Sequence, residues 1–419
     1  MRRSLLILAL AAAVAIVAAV IVAALNRGPD VKLDPKPNGV STFGFSDGFG
    51  ADLSEEQQNA LLDRIHAVTG DGGIVSAPLR WDGTKLALPN WYRYDLFLDR
   101  VRAHHLVWLP EINISNGTGA YLLPDQAVGG MPGWTEAVRA IGQRYGPGGD
   151  YAQSSAERAG FDGIVRYQLW NEPNSKTGNA TSDRDGSVDL DPAGATEIMR
   201  AGGSGLRSAA AAGGWRGRLD ILGWGIGTID LNYLQQLKAA DPKILREVDT
   251  IAFHVYASVD PLRCPTIDSA GSTVERTQAS HCIRSLMDVR EWLDDNGGAQ
   301  VGLAITEGGF SGSDDDCVPP NVVDEQKQAL FNHRTVDWLR THPELKFGVY
   351  LPYHVLDSGS VPFPGSSGSS CDDSSYDQAY WQDNLGMVRP DMSLKPVGAS
   401  FRAQIRVARR QAAALAAKR

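Results

Sequence analysis

From residue 40 onward, short runs of β-type residues alternate with longer segments whose apolar positions recur every three or four residues. Eight runs predict strands: 40–46, 73–81, 106–114, 163–170, 219–226, 248–256, 301–306 and 347–355. Between them, Leu61, Ile65 and Val68 share one helical face, as do Tyr94, Leu98 and Val101, and Ile283, Leu286, Val289 and Leu293 repeat at the same spacing. Strands separated by helices pair in parallel through crossovers. Eight such units close an α/β fold of the (β/α)8 TIM-barrel class. An open doubly wound sheet would carry a glycine-rich dinucleotide turn after its first strand, and Gly44-Phe45-Ser46 is not one. In the sixth run, bulky Ile251, Phe253 and Val255 alternate with Ala252, His254 and Tyr256. The first set suits the helix layer. The second faces the barrel interior and becomes polar toward the C-terminal rim, where such barrels build their sites.

The N-terminus differs in kind. Met1-Arg2-Arg3 precede an apolar run from Leu5 to Leu25, and polar residues follow. At about 1.5 Å per residue, a run of about twenty crosses a hydrocarbon core of about 30 Å, and the two arginines hold its start in the cytoplasm. Cleavage as a signal peptide is the alternative, with Ala13-Val14-Ala15 as a small-residue site, although the apolar run continues about ten residues past it. The expected organisation is a transmembrane or signal helix over 1–25, a linker over 26–39, a barrel domain over 40–405 and a basic helix end over 406–419. On either reading the domain lies outside the cytoplasm, anchored to the membrane or secreted. Of the 419 residues, 43% are hydrophobic and 21% charged, enough to bury a large core. A net charge of -9 without a basic block excludes nucleic acid as the expected partner. Oligomeric state is not legible.

Unusual polar residues gather at the ends of the predicted strands. The fourth run leads into Asn171-Glu172-Pro173-Asn174 and the seventh into Glu307-Gly308-Gly309. The second ends at Arg80, the third at Glu111, and the sixth at His254 and Tyr256. Rim positions on strands four and seven face each other across the barrel mouth, so two glutamates there can straddle a sugar ring. Cleaving a glycosidic bond requires one carboxylic acid to protonate the leaving oxygen. With retention of configuration it also requires a carboxylate about 5–5.5 Å away to attack the anomeric carbon. Arg80 and the Tyr256 hydroxyl are candidate donors to that nucleophile.

The Trp170-Asn171-Glu172-Pro173 and Ile305-Thr306-Glu307-Gly308 runs resemble the acid/base and nucleophile motifs of glycoside hydrolase clan A, most of all its family 39 and family 5 types. The resemblance spans about residues 40–405, as a pattern of strand ends. It implies Glu172 as acid/base, Glu307 as nucleophile and Asn171 hydrogen-bonding the sugar 2-hydroxyl, with Arg80, His254 and Tyr256 orienting the site. It implies a glycan substrate and no cofactor. One departure stands out: where the clan often carries a tryptophan after strand eight, this chain has Tyr350, Tyr353 and His354.

Further candidates follow from residue type. Glu111 and Tyr353 are expected substrate contacts, and two of Trp81, Trp108, Trp134, Trp224 and Trp381 are expected to stack on sugar, with Trp381 foremost. Asp183, Asp185, Asp189 and Asp191 lack the terminal glutamate of a calcium loop, and no clustered His/Asp set points to a metal. Cys264, Cys282, Cys317 and Cys371 allow three pairings. Long loops after strands seven and eight each hold one cysteine, which favours Cys317 with Cys371 and Cys264 with Cys282. Two other function classes remain open: a non-catalytic carbohydrate-binding barrel, and a transglycosylase at the cell envelope.

Overall fold

The computed structural model describes residues 42–47, 53–85, 89–116, 122–174, 190–257, 260–265, 279–314, 322–357, 383–391 and 393–416. The apolar run at 1–25, the linker, Trp381, Cys317, Cys371 and Asp183, Asp185 and Asp189 lie outside them. Among the described residues no helix is long and apolar enough to cross a membrane.

Eight parallel strands close into a barrel in chain order: β1 (Thr42–Ser46), β2 (Ile74–Asp82), β3 (Val107–Ser115), β4 (Arg166–Leu169), β5 (Asp220–Gly227), β6 (Thr250–Tyr256), β7 (Gly302–Gly309) and β8 (Phe347–Tyr350). Closure comes from Thr42 pairing with Val349 and Phe43 with Tyr350. Eight principal helices surround it: α1 (Glu55–Thr69), α2 (Trp91–Ala103), α3 (Gly130–Tyr145), α4 (Pro192–Ala212), α5 (Leu231–Ala240), α6 (Leu286–Asp295), α7 (Glu325–Thr341) and α8 (Pro396–Ala416).

Local chemistry sets the helix starts. Ser54 and Gln57 form a reciprocal capping box on α1, while Asp191, Asp230 and Asp324 accept backbone amides in the first turns of α4, α5 and α7. Asp191 is thus a helix cap. The apolar faces read from the periodicity are buried, with Leu61, Ile65 and Val68 on α1 and Tyr94, Leu98 and Val101 on α2 turned to the barrel. A Cβ at Gly205 of α4 would stand 2.7 Å from the Thr135 carbonyl of α3, so glycine there lets the two helices touch.

The final helix, α8, spans the bound expected at 405 between the barrel and the basic helix end. It runs unbroken to Ala416, and Ile405 and Ala408 share its buried face one turn apart. Its Phe401 packs edge-on against Phe43, Phe45 and Tyr350, sealing the β1–β8 seam. Strand bounds shift as well. β4 starts at Arg166 rather than 163: Gly163 takes a left-handed φ of 91°, and a Cβ there would fall 2.3 Å from the Pro147 nitrogen. β8 stops at Tyr350, shortly before Pro352, which has no N–H for the ladder. β3 continues to Ser115, so Glu111 sits mid-strand, not at its end.

The barrel interior has two levels. Ile74, Leu109, Leu222, Ala252, Ala304, Val349 and Leu351 form a small apolar plug, separate from the larger core between sheet and helices. Two residues further along several strands, interior positions turn polar: Ser76, Glu111 and His254. That polar level floors the site.

Candidate active site

Strict strand alternation would misplace several key side chains, and local irregularities correct it. In β7, Ala304 belongs to the plug and Ile305 to the outer core, so alternation would turn Glu307 outward. A bulge intervenes: Phe253 pairs with Ile305 but His254 pairs with Glu307, leaving Thr306 as the extra residue. Glu307 therefore points inward beside His254. In β5 a second register shift between Gly223 and Ile226 moves Trp224 into the outer core, where its indole N–H donates to the Ala195 carbonyl of α4. After β4 the chain takes left-handed φ values at Trp170 (73°) and Glu172 (41°). Trp170 then packs edge-on against Trp134, and the Glu172 amide donates to the Gly225 carbonyl at 2.9 Å. Left-handed non-glycine residues are uncommon and concentrate where a site holds them in place.

These turns bring Glu172, His254 and Glu307 together. One carboxyl oxygen of each glutamate and a ring nitrogen of His254 all lie within 4.8 Å of one another. His254 Nδ1 is 2.9 Å from Glu172 Oε1 and 3.4 Å from Glu307 Oε2. Tyr256 donates its hydroxyl to Glu307 Oε2 at 2.9 Å, and Ser46 donates to Oε1 at 3.4 Å. The imidazole is buried, whereas both carboxylates keep 17–18% of their side-chain surface exposed, so each is open to the barrel mouth.

The charges interlock. Burial alone would push the His254 proton off, but the Glu307 and Glu172 carboxylates override it and raise the imidazole to about 9. Glu307 is pushed above the usual carboxylate range by burial, with His254 pulling it back down, Glu172 pushing up, and Tyr256 and Ser46 steadying the anion. Burial drives the Tyr256 phenol well above its ordinary value, so it remains a donor. The same three groups, Glu172, His254 and Glu307, have the spacing of a cation site, a cluster the linear sequence hides. The 2.9 Å contact from His254 Nδ1 to Glu172 Oε1 is a hydrogen-bond distance, and the imidazole's raised affinity for its proton sets any metal in competition with that proton.

Other solved structures share this architecture. A glucosidase from Croceicoccus marinus superposes with a TM-score of 0.55 at 14% identity, over 90% of this chain and 68% of that one. GH5_18 from Streptomyces cattleya in complex with GlcNAc gives 0.54 at 15%, over 88% and 81%. Fungal β-1,4-galactanases give 0.52 at 11%, over 86% and 99%. The barrel's structural neighbours are family 5 and other clan A glycoside hydrolases. At these identities the likeness concerns the fold, and it does not separate family 39 from family 5. No protein-family model and no curated sequence matches the chain.

Of the residues singled out by sequence, Glu172, Glu307, His254 and Tyr256 meet directly. Tyr353 joins them edge-on to Tyr256, with ring centroids 6.2 Å apart. Tyr350 does not: its hydroxyl donates to Asn332 of α7 on the outer face. Asn171 sits between the two left-handed residues, and its side-chain oxygen is buried without a protein partner. Arg80 acts on Glu111 electrostatically, drawing its carboxyl downward. Trp81, Trp108, Trp134 and Trp224 are at most 3% exposed, all in the outer core, and so offer no face to a sugar. Cys264 and Cys282 are bridged.

Several contributors carry no sequence signal of their own. Ser46 reaches Glu307 from 261 residues away. Gln168 holds Glu111, and Asn174 ties the chain after Glu172 to Gly227 in both directions at 2.8 and 2.9 Å. Asn174 was legible only as part of the Asn-Glu-Pro-Asn run. Gly225 was invisible, because its importance lies in what surrounds it.

Proposed function

We propose that this protein is a retaining glycoside hydrolase cleaving O-glycosidic bonds of an extracellular or cell-envelope glycan. The observation that carries this reading is the convergence of Glu172 and Glu307 to within 4.8 Å across the barrel mouth. That spacing matches the closer of the two glycosidase arrangements, about 5–5.5 Å for retention against about 6.5–9.5 Å for inversion. The clan A fold and the two strand-end motifs support it.

In this mechanism a Glu307 oxygen attacks the anomeric carbon while Glu172 gives its proton to the departing glycosidic oxygen. The carbon–oxygen bond breaks as a glycosyl ester on Glu307 forms. Glu172, now a carboxylate, takes a proton from water, whose oxygen attacks the same carbon and releases Glu307. Tyr256 and Ser46 hold the Glu307 carboxylate in one rotamer. His254, 2.9 Å from Glu172 and 3.4 Å from Glu307, fixes the two carboxyl groups relative to each other. The Asn171 oxygen is available to a sugar hydroxyl. With Arg2 and Arg3 ahead of the run from Leu5 to Leu25, the enzyme would work on the outer side of a membrane.

The test is a panel of aryl glycosides and envelope polysaccharides, with the first-formed anomer read by NMR. Retention of configuration is expected. Glu307→Ala is expected to abolish turnover, and Glu172→Ala to slow poor leaving groups by about 10²–10⁴-fold while sparing activated aryl substrates. Normal turnover by Glu307→Ala ends the proposal.

A further inference from the structure

The barrel has a direction, and the chain enters it from one side. All eight strands run the same way, so their starts share one face, while Glu172 and Glu307 open at the other. Thr42 begins β1 on the first face. α8 returns to that face. Lys395, just ahead of the helix, donates to the Gly312 carbonyl on the mouth side, whereas Arg409 stands over the turn before β2, where a Cβ on Gly70 would fall 3.1 Å from its Nη1. Both ends of the described domain therefore meet on the face away from the mouth.

That face is not uniformly polar. Val107 at the start of β3, Val165 just before β4 and Trp215 in the turn before β5 are exposed, on three neighbouring units. Arg216 follows the indole, and Arg406 and Arg410 are exposed along the end of α8. Asp162 and Glu344 are exposed there too, so the charge is mixed and the apolar side chains set the character of the surface. An indole beside arginine suits a lipid–water boundary, where the apolar body is buried and the polar edge stays wet.

Length decides which way the barrel faces. Only the segment from Asn26 to Ser41 separates the apolar run ending at Leu25 from β1. Its roughly sixteen residues, drawn out fully at about 3.3–3.6 Å each, span about 55 Å. A domain of about 375 residues has a radius of gyration of about 21 Å, and so a diameter of about 55 Å as a sphere. A chain leaving one pole of such a sphere needs on the order of 70 Å to round it and reach a plane at the other. The mouth cannot be brought to the bilayer on that tether. We infer that the barrel rests on the bilayer through the face that carries Thr42, Trp215 and the end of α8, its mouth turned away, and that its substrate is a glycan standing off from the membrane, not a sugar borne on a lipid head group. Residues 5–25 must span the bilayer for this to hold, and the test reads that separately.

The full chain is inserted in phospholipid vesicles with the barrel outside, some of the lipids carrying a photoreactive head group. After illumination and proteolysis, mass spectrometry should find lipid adducts on the peptides that hold Val107, Trp215 and Arg410. None should appear on those holding Tyr92 at the start of α2 or Lys327 at the start of α7, both exposed on the mouth side. Adducts around Tyr92 or Lys327, or none on the barrel, overturn the placement even when the chain floats with the vesicles. A chain that does not float loses the membrane reading and this placement together. With substrate, and at a dilution that keeps vesicles apart, the bound chain should release sugar from an added soluble glycan and leave uncut the same sugar borne on a lipid of its own bilayer. Equal release from both overturns the assignment of substrate. Absence of cleavage in every assay, with the adducts as expected, would refute the proposed hydrolysis and leave the facing of the barrel standing.

Discussion

Gly225 and Glu172 are joined through the backbone: the Glu172 amide donates to the Gly225 carbonyl at 2.9 Å, across the gap between β4 and β5. The same glycine lies under two side chains. A Cβ there would fall 2.5 Å from Gln168 Nε2 and 2.6 Å from His254 Nε2, and its φ of 50° is itself left-handed. One residue without a side chain thus holds the Glu172 backbone, leaves room for the imidazole between the carboxylates, and borders the amide that holds Glu111.

Gly225→Ala should therefore leave a folded barrel with a displaced His254. The left-handed backbone costs about 1–2 kcal/mol of stability. A misplacement of about 1 Å within a catalytic site costs about 10²-fold, so kcat should fall by that order. Circular dichroism and urea unfolding, run beside kinetics, separate the two effects. Unchanged kcat would mean that His254 does not depend on this space.

Tyr256→Phe keeps the ring contact with Tyr353 and removes only the donor to Glu307. A hydrogen bond to a charged group contributes about 1.5–3 kcal/mol. Turnover should fall by roughly 10- to 100-fold, with little change in unfolding midpoint. A variant as active as the parent would show that Ser46 and His254 suffice to hold the Glu307 carboxylate.

Stability should decline with rising pH on account of His254. Its folded proton affinity, raised to about 9, exceeds the ordinary 6.5 of an unfolded histidine. The folded state binds the proton more tightly, so the stabilisation is complete below about pH 6.5 and lost as pH climbs through about 9. Glu111, raised to about 8, adds a decline of the same sign that begins near 4.5. Urea midpoints between pH 6 and 9.5 should fall steadily, and His254→Gln should flatten the upper part of that slope. An identical slope in the variant would contradict the charge assignment.

The Cys264–Cys282 bridge closes a loop with a sequence separation of 18. Loop-closure entropy for that length corresponds to about 3 kcal/mol. Replacing both cysteines with serine should lower the free energy of unfolding by that order. The loop leaves β6 shortly after Tyr256, and Cys282 immediately precedes Ile283, Leu286 and Val289 on a buried face. Activity at low temperature should survive while thermal tolerance drops, which a heat-inactivation series would reveal.

Much of the architecture was already written in the chain. Runs of β-branched and aromatic residues marked the eight strands, and spacings such as Leu61–Ile65–Val68 marked the helix faces, because those periods reflect which side of each element leaves water. The alternation in β6 even assigned Ile251, Phe253 and Val255 to the outer core and Ala252 to the inner plug, as the packing shows. The tryptophans were harder. Trp81, Trp108, Trp134 and Trp224 have the same composition signal whether they stack on sugar or fill a core, and only their neighbours decide.

By itself the sequence determined that the chain closes a barrel and that its polar outliers cluster at strand ends. Period and residue type are local properties, and burial acts on them directly. Only the tertiary structure decided which way those outliers point. An extra residue at Thr306, another near Trp224, and left-handed turns at Trp170 and Glu172 each reverse the inside–outside sense, and no local preference announces them. They persist because neighbouring strands hold them through contacts such as Gly225 with Glu172, made between residues far apart in the chain.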